Sequence, residues 1–540
     1  MCIRDRLYIH FEGFILRNTH SPGRSPVYSL DGMVATSHPL ASKSAIDILS
    51  RGGNAIDAAV TAASVLAVVE PHSTGVGGDL FCLYHKHDKV IAMNASGRAP
   101  ESISLDKLNN LGIKESIPFQ SPHSVSIPTG VAGWIKLIED HGSLSLKEVL
   151  KPSINYAENG YIVADVIADV WEREIEKLSS DEDCKKLFLP EGKFLKAGDI
   201  HYQPRLAETL KNISELGKAG FYEGDIAKSM VKKLNSLGGL HSLADFANAE
   251  ANYVEPISAN YRDAKIFECP PNGQGVIALM IMKILEGYDF EDIPANSSKR
   301  IHLQAEATKI AFGHRSHYLA DPDFSNVPVE EMLSKKHINN LRSLIKLDEC
   351  IEGYTPKLPE HPNTVYISVV DKEKNSVSLI NSIFHSFGSG IVDPNSGVLF
   401  QNRGASFVLD SSHPNVIQGR KRPMHTIIPS LASKNEKPYL SFGVMGGHYQ
   451  PMGQAHVLSN IIDYGMDPQE SLDFPRSFYF DGILECEQGI SENVKRELEL
   501  IGHKVQTCDL PHGGGQVIEH RGTTLIGGSD PRKDGCAIGL

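Results

Sequence analysis

Thr364 opens the apolar run Thr364-Val365-Tyr366-Ile367-Ser368-Val369-Val370-Asp371, directly behind a stretch with prolines at 356, 359 and 362. A β-branched residue suits the head of a strand on packing grounds alone. The same placement also suits acyl-transfer chemistry. A chain cut between Asn363 and Thr364 would give Thr364 a free α-amine of pKa about 7.7–8.0, positioned to act as base for the residue's own hydroxyl. Such chemistry needs donors for a developing oxyanion, and paired glycines can supply backbone N–H groups. Gly446-Gly447 follow the apolar segment Tyr439–Val444 and precede a helical one, while Gly77-Gly78 lie in Gly75-Val76-Gly77-Gly78-Asp79. Both pairs read by default as tight turns. Arg98, in the small-residue loop Asn94-Ala95-Ser96-Gly97-Arg98-Ala99-Pro100, could grip a carboxylate bidentately, although a surface arginine fits the same pattern.

Other chemistries lack their patterns. Ser389 sits in Gly388-Ser389-Gly390, not in a G-x-S-x-G elbow, so His512-Gly513-Gly514-Gly515 reads as a plain turn, not as a lipase oxyanion loop. The Gly447–Gly453 loop ends in Gln454 and lacks the Lys-Ser/Thr of a phosphate-binding loop. His85-Lys86-His87 falls in a charged hairpin, and no H-E-x-x-H is present. No metal framework and no cofactor motif is legible.

The elements that must position these residues alternate along the chain. Gly32–Ser37 reads as a strand, followed by helices over Leu40–Arg51 and Ala55–Val69 around the Gly52-Gly53-Asn54 break. Strands are expected at Leu80–His85, Val90–Asn94, Val398–Gln401 and Tyr439–Val444, and a hairpin at Thr364–Asn381. Helices are expected at Val276–Glu286 and from Gln454. The region from about Leu146 to Cys350 is mostly amphipathic helix. Strands between helical runs imply a layered α+β architecture.

Composition narrows the function class. The chain has 540 residues, with 53 Lys+Arg against 66 Asp+Glu and a net charge of −13. An acidic chain without a basic tract is a poor binder of phosphates, which argues against nucleic acid. At 41% hydrophobic and 22% charged it is an ordinary globular chain, and its length suggests three or four domains. Ala55–Val69, the richest apolar stretch, is too short to span a membrane and carries Asp57, so no membrane partner is expected. Residues 1–31 read as an extension whose first six residues look like a scar, without a secretory signal. Eight cysteines without a C-x-x-C pair suit reduced thiols and a cytoplasmic location.

Taken together, the motifs resemble the γ-glutamyltransferase family of N-terminal-nucleophile hydrolases. The resemblance runs from about Gly32 to Gly535. It rests on Gly52–Ala59, Gly75–Asp79, Ser96–Pro100, Ile127-Pro128-Thr129-Gly130, Pro270–Gly275, Asn363–Tyr366, Phe387–Gly390 and Gly528–Gly535. It implies a four-layer αββα sandwich and self-cleavage at Asn363–Thr364. The products would be a large subunit, 32–363, and a small one, 364–540, interleaved in one domain and open to homo-oligomerisation. It further implies that Thr364 is the nucleophile, Ser382 its support, Gly446 and Gly447 the oxyanion hole, and Arg98 the grip on the substrate α-carboxylate. No cofactor is implied. The substrate is a small-molecule amide or peptide, with the acyl group passed to water or to an amine.

Departures from the family pattern bear on the substrate. Arg403 and Ser406 stand where a Gln/Glu and an acidic residue that binds the substrate amine are usual. Phe384 replaces an asparagine, His425-Thr426 replace a serine pair, and the segment Phe407–Arg422 is short. The chain is similar in these respects to cephalosporin acylases and oxamate amidohydrolases. The primary expectation is cleavage of γ-glutamyl amides of the glutathione type. One alternative is an amidase for acyl groups lacking the α-amine, glutaryl or oxamate; another is a catalytically silent binding relative.

Overall fold

A computed structural model describes residues 23–351 and 364–540 of the chain. Its centre is the hairpin expected from the sequence. Val365–Val370 and Ser376–Ser382 pair antiparallel, with Val365 opposite Asn381, and every residue in both strands is buried. Buried on both faces, these strands carry apolar and small hydroxyl side chains and little strict alternation. They lie inside a seven-stranded antiparallel sheet. Its order is Cys536–Gly539, Met33–Thr36, Val365–Val370, Ser376–Ser382, Asp79–Lys86, Lys89–Ala95 and Asn252–Val254. A second antiparallel sheet runs Val27–Ser29, Thr524–Ser529, Gly515–Arg521, Lys437–Val444, Ser430–Lys434, Ala264–Glu268 and Ile257–Tyr261. Each sheet contains strands from both sides of residue 364.

The two sheets pack face to face through Phe81, Leu83, Tyr366, Ile380, Ile427, Leu431 and Met445. Ser368 Oγ meets Ser441 Oγ at 2.7 Å, and a Cβ on Gly443 would lie 2.5 Å from the Tyr366 ring. Helices cover the outer faces. Ala55–Val69 starts at an Asn54–Asp57 capping box, and all 15 of its residues are buried, because it is enclosed by neighbouring helices and by the hairpin. On the other side, Gly275–Leu285 and Gln450–Ile462 lie against the second sheet and share one core with Ser298–Tyr318. The order is helix, sheet, sheet, helix: an αββα sandwich.

In the helical region after Leu146, Val149, Trp171, Leu210 and Phe246 join the same core as the Ala55–Val69 helix. Some expectations change. Val398–Gln401 makes only isolated bridges, Val392–Leu399 and Gly77–Phe400, because its neighbour is the glycine loop and not a strand. Part of the N-terminal extension is structural: Val27–Ser29 gains backbone partners as an edge strand on Thr524–Ser529. Asn363 lies outside the described residues.

Gly78 couples the glycine loop to the hairpin. A Cβ there would stand 2.2 Å from the carbonyl oxygen of Ser382, and neither backbone can yield without breaking the strand pairing. Gly78→Ala is expected to destabilise the fold by about 3 kcal/mol. Chemical denaturation checks this; an unchanged midpoint would show that the loop can retreat.

Candidate active site

Thr364 stands at the head of its strand and is 2% exposed. Its Oγ1 lies 3.1 Å from Ser382 Oγ, which also accepts the N–H of Phe384 at 3.0 Å. The sheet-to-sheet register carries the site further. Ser368 faces Ser441 and Tyr366 faces Gly443, so the next step of two residues brings Thr364 level with Met445 and the turn after it. In that turn Gly446 and Gly447 both adopt left-handed backbone, φ +100° and +52°. Met445 N–H is fixed on Gly514 O at 2.7 Å, and Gly446 O accepts Tyr449 N–H. Among the described residues nothing accepts from the N–H of Gly446 or Gly447, which leaves two donors at the start of the short helix Gly447–Tyr449.

A chain of contacts runs from Phe384, whose N–H is bonded to Ser382, to the glycine turn. Phe384 stacks under the Arg403 guanidinium at 3.9 Å. Arg403 NH1 donates to Thr426 Oγ1 at 2.8 Å. The Thr426 carbonyl accepts from Gln274 Nε2, which also donates to Gly447 O at 2.9 Å. Arg315 NH1 in turn grips Gln274 Oε1 at 2.7 Å and meets His448 Nδ1 at 3.1 Å. Burial lowers both arginines to about 9, so each remains a cation at neutral pH. Nε and NH2 of Arg403 lack hydrogen-bond partners among the described residues.

Asp79, fully buried, lies beside Arg403. Its Oδ1 accepts Gly97 N–H at 3.1 Å and Gln401 Nε2 at 2.7 Å, and its Oδ2 accepts His425 Nε2 at 2.8 Å. Arg403 Nε approaches Oδ2 at 4.0 Å. Because His425 Nδ1 accepts the Ile427 N–H, the imidazole is neutral, with its proton on Nε2. Burial, and secondarily the Arg403 charge, lower its pKa to about 4.

The structure therefore brings together Thr364, Ser382, Arg403, His425, Thr426 and the Gly446–Gly447 turn. Arg98 and Ser406 each have partners of their own. The polar partners of Arg98 are Asp323 at 2.9 Å, Asp321 at 3.4 Å and Arg420 O. Ser406 Oγ is committed to the carbonyls of Arg403 and Met424. Sequence reasoning passes over Asp79 and Gln274, although both lie in family motifs, Gly75–Asp79 and Pro270–Gly275; it misses Arg315 altogether, since a single cation in a helix carries no signal.

Comparison with known proteins points the same way. The family model described as Gamma-glutamyltranspeptidase matches residues 41–540. The glutathione hydrolase-like YwrD proenzyme of Bacillus subtilis is 35% identical over 527 residues, covering 94% of this chain and 98% of the relative. The oxamate amidohydrolase proenzyme of Klebsiella pneumoniae is 32% identical over 528 residues, covering 95% and 99%. The crystal structure of cephalosporin acylase from Bacillus halodurans superposes with a TM-score of 0.91 at 35% identity, covering 98% and 99%.

The buried imidazole makes a testable contribution to pH dependence. An unfolded histidine titrates near 6.5, whereas His425 in the fold resists protonation down to about 4. Its stabilising effect is therefore complete above about pH 6.5 and is lost as pH falls toward 4. His425→Gln keeps a donor for Asp79 but does not titrate. The stability advantage of wild type over this variant should shrink between pH 7.5 and 5, read from guanidinium midpoints; a constant difference would contradict the neutral assignment.

Proposed function

The chain belongs to the gamma-glutamyltranspeptidase family, and from that premise we propose that it is an autoprocessing amidohydrolase and acyltransferase with Thr364 as its nucleophile. The observation that carries this reading is the buried Thr364–Ser382 hydroxyl pair at 3.1 Å; the N–H groups of Gly446 and Gly447, without acceptors among the described residues, supply the oxyanion donors. In the precursor, the Thr364 hydroxyl attacks the Asn363 carbonyl, and hydrolysis of the resulting ester frees the Thr364 α-amine. That amine then takes the hydroxyl proton as Oγ1 attacks a substrate amide. The oxyanion forms against the glycine N–H groups. Collapse releases the amine and leaves an ester on Thr364. Water returns a carboxylic acid and the free hydroxyl, or an amino-acid or peptide amine takes the acyl group. The large and small chains, 32–363 and 364–540, stay together because both sheets pair strands of one with strands of the other. The seven described cysteines are free thiols, which supports a reducing, cytoplasmic setting.

Relatives named as glutathione hydrolases support γ-glutamyl amides as substrates. Arg403 favours a second acyl class. It is a buried cation whose NH2 has no hydrogen-bond partner among the described residues, beside the Phe384 close after Ser382, while Ser406 offers no acid for a substrate ammonium. An anionic acyl terminus without an α-amine, as in glutaryl or oxamate amides, gains there and an ammonium loses. Relatives named as oxamate amidohydrolase and acylase support this reading.

Freshly purified wild type should give two masses, the smaller chain beginning at Thr364. Thr364→Ala should stay a single chain and lose about a thousandfold or more in amidase activity. A wild-type chain that remains whole after days at neutral pH would make the silent binding relative the better reading. For specificity, kcat/KM is compared on matched γ-glutamyl and glutaryl anilides. Arg403→Gln should lower glutaryl turnover by about ten- to a hundredfold, the value of one charge-assisted hydrogen bond, with a smaller effect on γ-glutamyl. A strong γ-glutamyl preference in wild type would reject the second acyl class.

A further inference from the structure

A second cluster of chemistry-bearing side chains lies on the far side of the second core, near the end of the segment that precedes residue 352. His302 and Glu306 are four residues apart on the helix Ser298–Tyr318, hence on one face. They meet Cys350 and His503, and one ligand-type atom from each of the four lies within 4.8 Å of the others. His302, Glu306 and His503 are buried and Cys350 is half-buried.

The hydrogen bonds around the cluster orient it. The Lys346 carbonyl accepts from His302 Nε2 at 2.7 Å, so that nitrogen carries the proton and Nδ1 turns its lone pair inward. His302 Nδ1 faces His503 Nε2 at 2.8 Å. Glu306 Oε1 accepts from Lys309 Nζ at 2.6 Å, and Oε2 accepts the Ile351 N–H at 2.8 Å. Lys309 also lies 4.4 Å over the Tyr479 ring, and its charge, with burial the larger cause, lowers the pKa of His503. His503 Nδ1 has no hydrogen-bond partner among the described residues.

We propose that His302 Nδ1, His503 Nε2, Cys350 Sγ and a Glu306 carboxylate oxygen bind one Zn²⁺ ion. Two imidazoles, one thiolate and one carboxylate form a soft-to-borderline set of four, which suits tetrahedral zinc and not calcium or magnesium. The His302–Lys346 bond and the Lys309 and Ile351 bonds to Glu306 are the outer contacts that fix metal ligands. Binding releases the thiol proton to solvent and shifts the His503 proton from Nε2 to the unpartnered Nδ1. The two imidazole nitrogens must open slightly, because ligands on a tetrahedral zinc stand about 3.3–3.7 Å apart. Thiolate and carboxylate neutralise the ion and leave only the Lys309 charge.

The site stands whether or not the chain is cut. If it is cut as proposed above, three ligands belong to the large chain and His503 to the small one, so the ion clips the two chains together. It also anchors the large chain about a dozen residues before Asn363.

The test uses the full chain, grown with added zinc, dialysed, and assayed for metal by inductively coupled plasma mass spectrometry; apoprotein is also titrated with Co²⁺. The expected result is about one zinc per chain and an intense thiolate-to-Co²⁺ charge-transfer band. Cys350→Ser, a near-isosteric change, should abolish that band and weaken zinc binding at least tenfold; His503→Gln should also weaken it. Zinc well below stoichiometry after titration, or a stoichiometry and band unchanged in both variants, would overturn the proposal and leave a hydrogen-bonded imidazole pair. Metal content is read equally well on uncut protein, so failure of self-cleavage leaves the zinc test intact.

Discussion

The geometry of the site depends on one buried acceptor. A carboxylate removed from water must be surrounded by donors, and Asp79 draws its donors from three distant stretches of chain: Gly97 N–H, Gln401 Nε2 and His425 Nε2. Meeting that requirement places everything else. His425 brings Thr426 beside it, Gln401 brings Arg403 two residues later, and Arg403 ties Thr426 to Phe384. Asp79 is also the strand partner of Ser382, so the residue that demands the donors and the residue that supports Thr364 share one register. A single strand pairing therefore sets both the binding side and the reacting side of the pocket.

Much of this frame is legible in the sequence because it is local. The Thr364–Asp371 run, the Gly52-Gly53-Asn54 break with its capping box and the apolar helix after Gln274 all obey short-range rules, and the helices and strands fall close to where those rules put them. Side-chain direction is a different matter. Arg98 lies in its motif, but Asp321 and Asp323, more than two hundred residues away in sequence, turn its guanidinium toward themselves. Ser406 sits at the position of an acid, yet its hydroxyl is satisfied by the carbonyls of Arg403 and Met424. Asp79 reads as the last residue of a glycine loop, because nothing near it announces a donor 346 positions away.

The same limit explains the His302–Glu306–Cys350–His503 cluster. Metal motifs are recognisable when ligands repeat at short spacing, and here only the pair on one helix turn is close in sequence. Packing of the helix Ser298–Tyr318 against the loop after Glu492–Ile501 brings in His503, and the chain's path to residue 350 brings in Cys350. Residue types carried the chemistry, while only the fold supplied the adjacency.

The edge strand Val27–Ser29 has a neighbour at the opposite end of the polypeptide: Leu540 N–H donates to Gly32 O at 2.9 Å, and Ser29 Oγ bonds the Leu540 carbonyl. Stretches that lie side by side can be joined once the residues before Val27 are left out, and a closed loop of chain can be opened anywhere its backbone is not needed. Opened before Thr364, such a circular permutant would keep both seven-stranded sheets and emerge from the ribosome with the threonine already at its start, once the initiator methionine is trimmed. The free amine would then come from gene order and not from peptide-bond cleavage, so the folding frame and the act of maturation are separable properties of this topology.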